Sequence, residues 1–166
     1  MKMKTKISFI LMFLISNLIL VQNKKIVEIL NKQLHLEYSK YYDEFEKESF
    51  KLIEPYKIDE IGILSFKFSE NPNYYNGKSI TKRSVPINKI IKKDKDFNLV
   101  FFTEGGDVLE QIEVFDENNK LIEERINQIT IFQTYINKEK NNERLKSLLK
   151  AFKKAGYKVT NEYWYD

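Results

Sequence analysis

Leu64, Phe66 and Phe68 alternate with Ser65, Lys67 and Ser69. A helix cannot bury every second residue, so this period of two specifies a strand covered on one side. The chain around it is punctuated by residues that strands reject. NPNYYNGK at 71–78, EGGD at 104–107 and DENNK at 116–120 collect the proline, glycine and asparagine that set or tolerate turn dihedrals. Between these turns, residues 79–87, 97–103 and 108–115 read as further strands. Pro86 removes a ladder donor and marks an edge or a strand end. KKDKD at 92–96 reads as a charged connector. Asn118 and Asn119 tolerate the positive φ of a hairpin, and residues 108–136 are expected to form one long hairpin. In its second arm Ile122, Ile126, Phe132 and Ile136 share one parity, and Leu121, Ile129, Ile131 and Tyr135 share the other. Both faces of the sheet therefore carry apolar side chains, and helices alone cannot cover both.

On either side of this region the period lengthens. Val27, Leu30, Leu34, Tyr38, Tyr41, Phe45 and Leu52 recur at steps of three, four or seven, which predicts a helix over residues 24–53. Pro55 pushes Glu54 out of the helical region and is expected to end it. Leu145, Leu148, Leu149 and Phe152 predict a second helix, with Lys150, Lys153 and Lys154 near its negative end and Gly156 as left-handed cap. A last strand places Tyr157, Val159, Tyr163 and Tyr165 on one face. The order predicts an α+β domain: a long N-terminal helix packed on an antiparallel meander sheet of about five to six strands, with a second helix before the C-terminal strand.

Ahead of this domain, Lys2, Lys4 and Lys6 precede an apolar run over residues 7–21 that is interrupted only by Ser8, Ser16 and Asn17. That is the layout of a secretory signal, and the run is short for a membrane span, which needs about 20 apolar residues. Cleavage is expected near residues 20–23, leaving residues 23–166 as one domain in the periplasm or outside the cell. The alternative is an uncleaved leader that anchors the chain to the inner membrane through residues 7–21, since Ile19, Leu20, Val21 and Gln22 lack the small side chains that signal peptidase prefers. The chain has no cysteine, so neither a disulfide nor a lipid-bearing cysteine is available and the core alone must hold the fold. Removing the leader's three lysines from 28 basic residues leaves 25 against 24 acidic ones, a formal net of +1. Nucleic-acid binding thereby loses its electrostatic support.

The chemistry-bearing residues form no catalytic set. His35, the single histidine, shares a helical face with Ser39 and Asp43, but the serine lies between the other two, whereas a relay needs the histidine there. A solvated polar face, continued by Asn31 and Glu46, is the plainer reading. One histidine and no cysteine do not make a zinc site. Asp94, Asp96 and Asn98 match the opening of a calcium loop, yet Leu99 stands where that loop turns on glycine and Gly105 where it ends on glutamate. Glu104, Asp107, Glu110, Glu113, Glu123 and Glu124 crowd one hairpin, as exposed strand positions commonly do, without a spacing that marks an acid/base pair. Gly105 and Gly106 precede no phosphate-binding helix.

Aromatic residues are left. Tyr74 and Tyr75 lie in a turn, and Tyr163, Trp164 and Tyr165 close the sequence; such side chains are enriched at binding hot spots. The plain alternative is that one tyrosine of each group packs back on the sheet end. The expectation is a small exported, non-enzymatic protein that binds a protein or peptide partner, in the manner of an inhibitor or immunity module, with Tyr74, Tyr75 and Trp164 as contact residues. No cofactor or metal is expected. A second expectation is a carrier of an apolar small ligand between helix and sheet, an architecture that resembles cystatin-like rolls. A carboxylate hydrolase is the third.

Overall fold

The computed structural model describes residues 21–39, 49–71, 77–95, 98–136 and 142–161. Residues 21–39 are helical (α1) and bury Ile26, Leu30, Leu34 and Glu37 at helical spacing. Five strands follow as one antiparallel sheet: β1 (Phe50–Ile58), β2 (Ile63–Glu70), β3 (Gly77–Pro86), β6 (Val108–Asp116) and β7 (Leu121–Ile129), ordered β1-β2-β3-β6-β7. A second sheet joins β4 (Lys92–Lys95), β5 (Leu99–Phe102), β8 (Ile131–Gln133) and β9 (Thr160–Asn161) in the order β8-β5-β4-β9, with β4 and β9 parallel. The second helix, α2 (Asn142–Lys154), precedes β9. The class is α+β, with a helix before the sheets and another before the last strand. Among the described residues no helix is long and apolar enough to cross a membrane.

The expected first helix does not reach Ile53. Residues 50–58 form β1, and Leu52, assigned to the helical stripe, stands half out of the sheet. Pro55 is tolerated there because β1 is an edge and has no outer ladder to lose. Register shifts between Leu52 and Glu54 and between Glu54 and Lys57 bracket it. Asn31 of α1 then closes this edge: its Oδ1 accepts from Tyr56 N–H and its Nδ2 donates to Tyr56 C=O, both at 2.8 Å. Ile26, rather than Val27, leads the buried stripe of α1.

Two more expectations change. KKDKD is not a connector, since Lys92–Lys95 is strand β4 with Lys93 and Asp94 buried. The long hairpin is cut at Thr130, where the chain leaves the first sheet and enters the second. Thr103 N–H donates to Thr130 C=O at 2.9 Å, and Thr134 N–H to Leu99 C=O at 3.1 Å. A strand that switches sheets in this way turns a corner and joins two layers.

The core lies between those layers. Phe66 of β2, Phe132 of β8, Phe101 of β5 and Phe152 of α2 pack in sequence, with ring centroids 5.6, 6.1 and 5.6 Å apart. Gly156, at φ 87°, ends α2 as expected. Gly156 N–H donates to Lys153 C=O and Tyr157 N–H to Phe152 C=O, and the Phe152 and Tyr157 rings touch edge to face, which completes a Schellman cap with its apolar contact. Tyr157 OH in turn donates to Asn23 Oδ1 at 3.1 Å and ties α1 to the end of α2.

Candidate interaction surface

Alternation in β2 assigns the two faces of the large sheet. Leu64, Phe66 and Phe68 face the core, so Ser65, Lys67 and Ser69 face away. Carried across by the pairing register, one row of the outer face reads Glu54, Lys67, Lys82, Gln111, Ile126. The next reads Ser69, Ile80, Glu113, Glu124. Like charges therefore oppose each other directly at Lys67–Lys82 and at Glu113–Glu124, an arrangement that costs stability. A diagonal contact, Lys67 Nζ to Glu113 Oε2 at 3.7 Å, offsets part of it. At the β1 edge the hydrogen bond and charge of Lys57 hold the Glu54 carboxyl below its ordinary range, and the charges of Lys67 and Lys82 lower it further. Lys67, Ile80, Lys82, Glu113 and Ile126 line an open cleft of about 370 Å³. Lys67 and Lys82 line it from β2 and β3, Glu113, Glu124 and Arg125 from β6 and β7, and Ile80 and Ile126 add aliphatic surface.

The core-side face of the same strands is occupied. Arg83 Nε donates to Glu110 Oε1 at 2.6 Å and Arg83 Nη1 to Gln133 C=O at 3.1 Å, while the guanidinium lies over the Phe68 ring. Asn127 Nδ2 reaches the second Glu110 oxygen at 3.4 Å. Arg83 and Glu110 are both nearly buried and join the first sheet to the second, so Glu110 serves as a structural partner.

A second opening, of about 590 Å³, lies between α1 and β1, lined by Leu34, Tyr38, Phe50, Leu52 and Pro55 with His35 at its side. Ser39 Oγ donates to Leu36 C=O at 3.4 Å, and Asp43 and Glu46 lie outside the described residues. Two further carboxylates of the hairpin are held singly: Asp107 Oδ1 lies 3.8 Å from Lys89 Nζ, and Glu123 is bound by Arg125, whose hydrogen bond holds the Glu123 carboxyl below its ordinary range. Asp94 sits in a strand and not in a metal loop; Asp96 lies outside the described residues. Among the described residues no group of three or more histidine, aspartate or glutamate side chains could hold a metal ion.

Tyr74, Tyr75, Tyr163, Trp164 and Tyr165 lie outside the described residues. The connection that carries Tyr74 and Tyr75 leaves from Asn71 and returns at Gly77, which pairs with Asp116 at the far end of the sheet. There Lys78 Nζ donates to Asn119 Oδ1 at 2.7 Å and lies over the Phe115 ring. Sequence reasoning expected a second apolar sheet face, and a partner on aromatic loops or on a sheet face, but not the charged residues that build it. Its signal was the parity of Ile122 and Ile126, but Ile80, Lys67 and Lys82 join them only once the register between strands is known. No protein-family model, curated protein or solved structure matches the chain.

Proposed function

We propose that the protein is an exported, non-enzymatic binding module that holds a protein or peptide partner on the outer face of its large sheet. The observation that carries this reading is the pair of like-charge oppositions, Lys67–Lys82 and Glu113–Glu124, beside exposed Ile126. A partner that brings an acidic group to the lysines and a basic one to the glutamates relieves both and covers the aliphatic surface. Tyr74, Tyr75 and Trp164 belong to the same reading as further contact residues. The test is affinity capture from envelope and culture-medium fractions with the wild type and with Lys82→Glu. A specific partner should be retained by the wild type and weakened about tenfold or more in the variant, at a melting temperature no lower than the wild type's because the introduced carboxylate then opposes Lys67. Equal retention by both would remove this face from consideration.

The opening between α1 and β1 favours a second reading, carriage of an apolar small ligand, because its size and aliphatic-aromatic lining suit one. An apolar fluorescent probe should then bind with micromolar affinity, and Leu52→Arg, at a half-exposed position, should abolish the binding without unfolding the domain. Binding that Leu52→Arg leaves intact would place the probe elsewhere.

A further inference from the structure

The large sheet has two edges, and they are built differently. On β1, Pro55 offers no N–H, two register shifts interrupt the ladder, and Asn31 occupies both backbone groups of Tyr56. These are the devices that stop a strand from recruiting another. β7 carries one register shift, between Glu123 and Leu121, and among the described residues neither a proline nor a side chain bound to its outer backbone groups. It is a nine-residue strand without proline, every residue from Leu121 to Gln128 is exposed, and among the described residues nothing pairs with its outer edge. Three of the large exposed apolar side chains, Leu121, Ile122 and Ile126, fall in this one strand.

Among the described residues its charges are the other blunting feature, and they fit a second copy of the same strand. We propose that β7 pairs antiparallel with β7 of a second molecule about a two-fold axis perpendicular to the sheet, which joins two five-stranded sheets into one. Such an axis keeps each face continuous, so only residues of the same parity oppose each other. With the axis at Glu124, Glu123 faces Arg125 of the copy and Arg125 faces Glu123, on the core-side face. Two ion pairs form at once. Moving the axis to Arg125 or to Glu123 sets that charge against itself and forms no ion pair, so of these three registers the one on Glu124 alone pairs opposite charges. Within each strand Glu123 and Arg125 already hold one another, so dimerisation closes an alternating four-membered charge ring.

Glu124 opposes its own copy in this register and limits the affinity. Edge pairing also covers less surface than a standard stable interface of roughly 1,600 Å², so dissociation in the micromolar range is expected. This inference concerns the sheet edge and stands apart from partner binding on the outer face.

The test is sedimentation velocity of the purified full chain from roughly 1 µM to 1 mM. The wild type should pass from monomer to dimer. Glu123→Arg alone and Arg125→Glu alone should each weaken association at least about tenfold, because each turns two attractive pairs into repulsive ones. The double variant should recover it. Mixing the two single variants should produce a heterodimer, since each charge at 123 and 125 then meets its opposite, and Glu124→Gln should tighten the wild-type dimer several-fold. All variants carry the same leader and change exposed side chains only, so equal melting temperatures isolate the edge. A wild type that stays monomeric throughout, association indifferent to the single changes, or failure of the mixture to pair would each overturn the proposal; a strand edge reserved for a different protein predicts the first of these results.

Discussion

Phe132→Ala is expected to destabilise the protein by about 3 to 5 kcal/mol, the range for truncating a fully buried phenylalanine. The position joins three elements: Phe132 on β8 touches Phe66 on β2 and Phe101 on β5 and is fully buried, so the void opens between the two sheets where neither layer can close on it alone. Phe132→Leu keeps most of the volume and should cost less, about 1 to 1.5 kcal/mol. Ile126→Ala, on the exposed side of β7, should change stability by no more than about 0.5 kcal/mol. Denaturant unfolding monitored by circular dichroism separates these values. A loss under about 1 kcal/mol at Phe132 would mean that the sheets do not share this core.

The second large effect belongs to Arg83. Arg83→Met keeps a long apolar side chain over Phe68 but removes the cation that faces Glu110 and the donor to Gln133. A carboxylate left nearly buried without its partner costs about 3 to 5 kcal/mol in a dry interior. Residual solvent access and the amide of Asn127 reduce this to about 2 to 4 kcal/mol. The companion change Glu110→Leu should restore most of the loss, because replacing both members of a buried pair by apolar groups is often neutral. The pair of unfolding curves decides the matter: if the double variant is no better than Arg83→Met, the worth of Arg83 lies in the inter-sheet bond to Gln133 and not in Glu110.

The parts of the fold that were legible are those in which local chemistry and tertiary packing agree. Leu64, Phe66 and Phe68 alternate because β2 has one dry face, and Gly156 caps α2 because only its left-handed geometry lets Tyr157 reach Phe152 C=O. Asn119, at φ 59°, closes the β6–β7 turn in the sense its residue type allows. The misreadings arise where the two disagree. Leu52 fits a helical step by coincidence, and Pro55 reads as a helix stop until the pairing shows it on an edge strand. Lys93 and Asp94 look solvated but are buried because the second sheet places β4 between β5 and β9. The outer-face site is written across four strands, so Lys67 and Glu113 become neighbours only through register, which no run of adjacent residues encodes.

The closed β1 edge sets a limit on how far any such sheet can grow. Strand addition propagates into fibres when each newcomer presents a fresh edge equivalent to the one it covered. Here the far edge is already stoppered by a side-chain amide and a proline, so in the language of polymer chemistry the domain is monofunctional. A second copy that settles on β7 presents its own stoppered β1 as the next edge, so self-pairing of the large sheet ends at two molecules.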